Sequence, residues 1–226
     1  MKTTDQTNKN INKNKAGFIV FEGVDGAGKG VQSRLLLAAM EKVGLNVLLT
    51  REPGGSPGAE EIRQLIVEGA ADRWDDMTEL LLIYAARRSH LIETIKPALA
   101  NDTWVICDRF ADSSRAFQGV AGKLGLDVVE NIHREVVGDF KPDLTLILDL
   151  DPAISLSRAD ARGGDEDRFE QKGLDYQSRV RDGFRQLAAM TPRTHTVIDA
   201  AGSIEEVNDL IISSVNTHFG LSLDRQ

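Results

Sequence analysis

The chain has 226 residues, 41% of them hydrophobic and 27% charged, with a formal net charge of −8. That composition is ordinary for a folded globular chain, and the acidic balance excludes general nucleic-acid binding, which needs a basic footprint. No apolar run approaches the roughly 18–20 residues that cross a bilayer, and the lone Cys107 cannot form an intrachain disulfide, which fits a reducing cytoplasm.

Met1 to Lys15 is rich in Lys, Asn and Thr and lacks the apolar core of a secretion signal, so 1–16 reads as a disordered tail. From 17 to 220, strand-like and helix-like patterns alternate evenly, which argues for a single α/β domain. Phe18-Ile19-Val20-Phe21 is a short buried strand, followed by Gly23-Val24-Asp25-Gly26-Ala27-Gly28-Lys29-Gly30 and a helix from Gln32 to Val43. Asn46 to Thr50 reads as a second strand that runs into the turn Arg51-Glu52-Pro53-Gly54-Gly55. Ala59 to Val67 is a short helix, and Asp76 to Ala100 is a longer helical region in which Pro97 marks a bend or a restart. Trp104 to Cys107 is a third strand closing at Asp108-Arg109, Leu126 to Val137 is helical, and Leu144 to Leu148 is a fourth strand closing at Asp149. Pro152 opens a helix with Ala153 to Ala159 behind it. Asp160 to Glu170, dense in charge and glycine, reads as an exposed, mobile loop. Gly173 to Ala189 is helical, His195 to Ile198 is a fifth strand, and Ser203 caps a last helix through Val215. The expected architecture is a three-layer α/β/α fold around a parallel five-stranded sheet.

The chemistry concentrates at strand ends. A strand, a glycine-rich turn and a helix with Lys29 at its start form the layout of a phosphate-binding loop. Backbone N–H groups of Gly23 to Gly30 close around phosphate oxygens, and the helix N-terminus favours negative charge there. Lys29 would reach the β- and γ-phosphates of a nucleoside triphosphate. The residue after that lysine normally carries a hydroxyl that helps hold Mg²⁺; here it is Gly30, and Val31 supplies none either. Mg²⁺ keeps several waters and binds largely through substrate phosphates, so a water can replace the missing ligand at a cost in metal affinity. Arg51 and Arg109 follow strand ends, where open α/β sheets bind ligands, and both can present forked donors to phosphate oxygens. The bland alternative is a local Asp–Arg pair that stabilises the turn.

Beyond the loop, Arg51-Glu52-Pro53-Gly54-Gly55, Tyr84-Ala85-Ala86-Arg87, Asp108-Arg109-Phe110, Asp112 to Gly119 and Pro142-Asp143-Leu144 follow in a set order. Together with the phosphate loop, and over roughly Gly17 to Phe219, this ordered set resembles bacterial thymidylate kinase. The resemblance implies ATP as phosphoryl donor, dTMP as acceptor, Mg²⁺ as cofactor and a homodimer. It implies that Asp25 accepts a hydrogen bond from the acceptor sugar, that Arg109 clamps the acceptor phosphate, and that Asp108 holds the metal's water shell. Arg51 and Pro53 fall on the acceptor side, Arg87 reaches the base, and Ser114 and Gln118 can read a base edge or else cap the neighbouring helix. Gly26 matches the members whose catalytic cation comes from a lid, here around 158–170, with Arg162 as first choice beside Arg158 and Arg168. A solvated charge run is the competing reading for those arginines.

Two acceptor-side departures accompany Gly30. Ile83 stands where the family has a Phe stacking on thymine, and Phe117 where Tyr is usual. Tyr84 adjoins Ile83 but points to another face of its helix. These departures predict lower metal and acceptor affinity and leave two alternatives open: a kinase for another nucleoside monophosphate such as dUMP, and a non-catalytic nucleotide-binding protein. His90, His133, His195 and His218 show no metal-ligand spacing and are expected to be structural. Cys107 is expected to be a small core residue, and Trp74 to be interfacial.

Overall fold

The computed structural model describes residues 15–70, 72–162 and 169–224. Five strands, β1 (Phe18–Glu22), β2 (Val47–Arg51), β3 (Trp104–Asp108), β4 (Leu144–Asp149) and β5 (His195–Asp199), form one parallel sheet in the order β2-β3-β1-β4-β5. Every residue of β1 is buried, as expected of a central strand covered on both faces.

The two faces separate by alternation along β1. Ile19 and Phe21 join a core with Leu36 and Met40 of α1 (Lys29–Lys42) and Ile211 and Val215 of α9 (Ile204–Phe219). Phe18 and Val20 point the other way, toward Leu80 and Tyr84 of α3 (Asp76–His90) and Val129 of α6 (Leu126–Val136). The period of two along the strand therefore produces the three layers. The remaining helices are α2 (Pro57–Val67), α4 (Lys96–Ala100), α5 (Ala111–Ser114), α7 (Pro152–Arg162) and α8 (Leu174–Met190).

Several boundaries differ from expectation. Helix α1 begins at Lys29 rather than Gln32, because left-handed Gly28 (φ 93°) already caps it. The tail ends before 16: Ala16 is 7% exposed, and its N–H donates to Asp102 Oδ1 at 3.2 Å. The long helical region breaks as α3, a π-helical turn (Leu91–Ile95) and α4, so the interruption precedes Pro97. Helix α7 continues to Arg162, into the segment expected to be loop, and α9 runs to Phe219, where left-handed Gly220 (φ 66°) ends it. The stretch 111–121, left without an element by sequence, is α5 followed by a π-helical segment (Arg115–Ala121). Residues 1–14 and, within the 158–170 lid, residues 163–168 with Arg168 lie outside the described residues, as does the side chain of Arg162.

Candidate active site

The carboxyl ends of β1 and β3 meet at one edge of the sheet. The phosphate loop leaves β1 at Gly23 and enters α1 at Lys29. Lys29 is 6% exposed and bends back over the loop, donating to Val24 O at 2.8 Å and Gly23 O at 3.1 Å. Burial pushes its ammonium down to about 8, and the neighbouring Arg109 charge adds to that; Asp108, Asp25 and Glu22 oppose it. An incoming polyphosphate would restore the charge by supplying the missing counter-ions.

Gly26 has φ 79°, and a Cβ there would lie 2.2 Å from Ser155 O. Helix α7 packs directly on the loop, with the Ser155 hydroxyl donating to Asp25 O. A side chain is excluded at position 26, so a catalytic cation cannot be supplied from there. Gly30 differs. A Cβ would meet only Arg34 Nη1 at 3.6 Å and Asp108 Oδ2 at 3.7 Å, which is ordinary contact. The missing hydroxyl thus leaves a gap that faces the Asp108 carboxylate.

Arg109 joins the two strand ends. Its Nη1 donates to Gly23 O at 2.9 Å and to Ser113 Oγ at 3.1 Å, its Nη2 pairs with the Asp25 carboxylate, and its guanidinium lies 5.0 Å from the Phe117 ring centre. Arg109 therefore pairs with Asp25, across the cleft, and the turn-stabilising role imagined for a neighbouring aspartate is taken by Glu22.

Of the expected acceptor residues, Phe117 lies against this pair. Arg87 is 2% exposed, and each of its guanidinium nitrogens has a partner within the protein: Nε donates to Glu52 Oε2 at 2.7 Å, Nη1 to Ser114 Oγ at 3.0 Å and Nη2 to Phe110 O at 2.9 Å. It is not a solvated helix-face arginine. Gln118 Nε2 donates to Glu79 Oε1 at 2.8 Å, leaving Gln118 Oε1 buried with no hydrogen-bond partner among the described residues. The Ser114 hydroxyl and the Gln118 amide N–H thus face α3, and neither caps a neighbouring helix. Ile83 is buried with Ile66 and Val67, and Phe169 packs against it; the Phe169 ring also stands edge-on to Phe117 at 5.6 Å. Tyr84 points away, toward His133. Arg51 is half exposed and pairs with Glu60 at 3.0 Å, while Pro53 O accepts from Arg63 at 2.7 Å. Arg158 is exposed on α7, with Nη1 3.5 Å from Ala200 O.

Sequence reasoning missed Glu22, Ser113 and Glu52. Glu52 is buried, and its carboxylate takes Arg87 on one oxygen and His90 Nδ1, at 3.0 Å, on the other. Glu22 carries two backbone donors and one hydroxyl. The available signal was an acid at the last position of an otherwise apolar strand. His90 and His133 are buried structural residues, and Cys107 is buried in the core. The Trp74 indole N–H donates to Leu65 O at 2.9 Å.

The thymidylate kinase family matches residues 21–211 of this chain. The thymidylate kinase of Caulobacter vibrioides is 48% identical over 204 residues, covering 90% of this chain and 98% of that protein. That of Ruegeria pomeroyi is 49% identical over 201 residues, covering 89% and 95%. The crystal structure of thymidylate kinase from Ehrlichia chaffeensis superposes with a TM-score of 0.73 at 33% identity, covering 88% of this chain and 98% of that one.

Proposed function

The chain belongs to the thymidylate kinase family, and from that premise we propose how its site moves the γ-phosphoryl group of ATP to dTMP, giving dTDP and ADP. The observation that carries the reading is the closure at Gly23. Its carbonyl accepts from both Lys29, on the donor side, and Arg109, on the acceptor side. Donor and acceptor phosphates held by those two cations face each other across the loop. The alternatives of another monophosphate acceptor and of a non-catalytic role find no support among the relatives.

In this reading the loop amides and Lys29 hold the ATP phosphates. Arg109 exchanges its Asp25 partner for the acceptor phosphate, and the freed Asp25 carboxylate accepts from the acceptor sugar. A phosphate oxygen of dTMP attacks the γ-phosphorus in line, and the bond from that phosphorus to the β-phosphate oxygen breaks, with no covalent enzyme intermediate. Positioning and charge stabilisation supply the rate. Arg162 is the proposed lid cation. Gln118 Oε1 is an acceptor whose orientation Glu79 fixes, which suits the imide N–H of a pyrimidine base. Ile83, Phe117 and Phe169 offer that base an apolar wall, with Arg87 holding α3 and α5 in register behind it.

A divalent cation, proposed as Mg²⁺, would be held through water by Asp108, whose Oδ2 lies 3.7 Å from where a Cβ at Gly30 would sit. Bound there it would offset phosphate charge. A homodimer is proposed on α3 and the turn after it, where Met77, Leu81 and Ile92 are 38%, 52% and 43% exposed along one face. Steady-state assay with ATP, Mg²⁺ and a panel of nucleoside monophosphates tests the reading. The expected order is dTMP first, with dUMP and ribonucleotides far behind; preference for another acceptor would overturn it.

A further inference from the structure

Glu22 ends β1 and is completely buried. A carboxylate in such a place is costly unless both oxygens find donors. Here the donors come from Phe110, the residue before α5, and from Ser113 within it. Oε1 accepts the Phe110 N–H at 2.8 Å and the Ser113 N–H at 3.1 Å, and Oε2 accepts the Ser113 hydroxyl at 2.6 Å. Ser113 Oγ in turn accepts from Arg109 Nη1 at 3.1 Å. That same Nη1 reaches Gly23 O, the residue after Glu22, so the chain of contacts closes on itself.

Two features show why an external anchor is needed. Helix α5 is one turn that runs straight into the π-helical Arg115–Ala121, so the N–H groups at its start need a partner from outside the helix. Arg109 has φ 71°, a left-handed backbone that a non-glycine residue adopts only when its surroundings impose it. The Glu22 carboxylate caps that turn from inside the sheet, satisfying N–H groups that α5 leaves open.

We propose that Glu22 is a positioning residue for phosphoryl transfer: acting through the Ser113 hydroxyl, it holds the Arg109 guanidinium at the acceptor phosphate. The proposal rests on the kinase reading of the site. Glu22 touches no substrate; its effect passes through Ser113 and the backbone at Phe110.

The charge state of Glu22 gives the role a pH signature. Burial raises its carboxyl to about 7, and the Asp112 charge adds to this, while Ser113, Arg109 and the Phe110 N–H pull it back. Lys29, Arg87 and the Cys107 thiol also lie within its field. Arg115, Glu130, Lys141 and His195 line the same cavity beneath it, where Asp112 is tied to His195 and Arg115. The ionised form that accepts from Ser113 is lost as pH falls through about 7. Turnover should carry an acid limb there.

The test compares wild type, Glu22→Gln, Ser113→Ala, Ser113→Thr and Arg109→Ala, with Glu22→Gln also made in the Arg109→Ala background. Glutamine keeps the shape but turns one acceptor into a donor, so Ser113 no longer has an anion to donate to. Glu22→Gln and Ser113→Ala should each lower kcat for dTMP about 10- to 100-fold with the KM for ATP unchanged, and Ser113→Thr should retain activity. Once Arg109 is gone, Glu22→Gln should cost less than about 2-fold, and the acid limb near pH 7 should vanish in Glu22→Gln. An equal penalty in both backgrounds, or an acid limb unchanged in Glu22→Gln, would overturn the proposal. If Glu22→Gln unfolds, the Ser113→Ala and Ser113→Thr pair decides alone, because it breaks or keeps the same link; equal activity of the two would overturn the proposal. A wild type without dTMP turnover would overturn the kinase reading first, and the positioning role with it.

Discussion

At the level of single residues, the site is a set of buried charges held by named partners, and its unusual position beside the phosphate loop is Gly30. The gap at Gly30 opens on Asp108 Oδ2, with no backbone among the nearest atoms a Cβ would meet. Gly30→Thr should therefore fit, place a hydroxyl toward the proposed metal, and lower the half-saturating Mg²⁺ concentration several-fold. A superimposable Mg²⁺ titration would show that position 30 does not limit metal binding. Gln118 Oε1 offers a second check. Gln118→Leu deletes an unpaired buried acceptor and one bond to Glu79. The KM for dTMP should rise by the value of a hydrogen bond, about 0.5–1.5 kcal/mol or roughly 2- to 13-fold, with the KM for ATP unmoved. Equal rises in both would detach Gln118 from the acceptor.

Among elements, strands were legible and helical irregularities were not. Each strand is a short apolar run that ends in an acid or a turn, the pattern of a strand covered on both faces. The segment 111–121 escaped because Asp112-Ser113-Ser114-Arg115 carries no helical periodicity. Much of its order comes from partners outside the segment: Glu22 for Ser113, Glu130 for Arg115, and His195 for Asp112. Such contacts bridge up to 91 positions, and no local pattern announces them. Arg87 and Gln118 stood out in the sequence as positions, but their partners did not, since Glu52 and Glu79 come to them from elsewhere in the chain. Helix α6 gives a stability prediction. His133 faces Tyr84, and burial, then the Arg115 and Arg87 charges, lower its imidazole to about 4 from 6.5. The folded state keeps this histidine neutral where the unfolded chain would protonate it. Its contribution is therefore present above pH 6.5 and lost as pH falls toward 4. The Tm of wild type should decline over that window, and His133→Gln should decline less steeply; parallel Tm–pH curves would refute this assignment.

For the whole molecule, the sheet order places the carboxyl ends of β1 and β3, where the phosphates are proposed to bind, beside one another, and leaves Met77 and Leu81 of α3 exposed. Leu81→Glu, on that exposed face, should halve the molecular mass seen by sedimentation; an unchanged mass would move the proposed dimer interface elsewhere. Arg162→Ala should depress kcat far more than it raises the KM for dTMP, because a lid cation acts on transition-state charge. Equal changes in both would assign it to binding. The central claim is direct transfer between two nucleotides held on either side of Gly23, and a label follows it most directly. With γ-labelled ATP, Mg²⁺ and dTMP, the account predicts that the label appears in dTDP, at a rate that depends on Arg109, and never on the protein. Label released only as inorganic phosphate, or retained on the polypeptide, would contradict it.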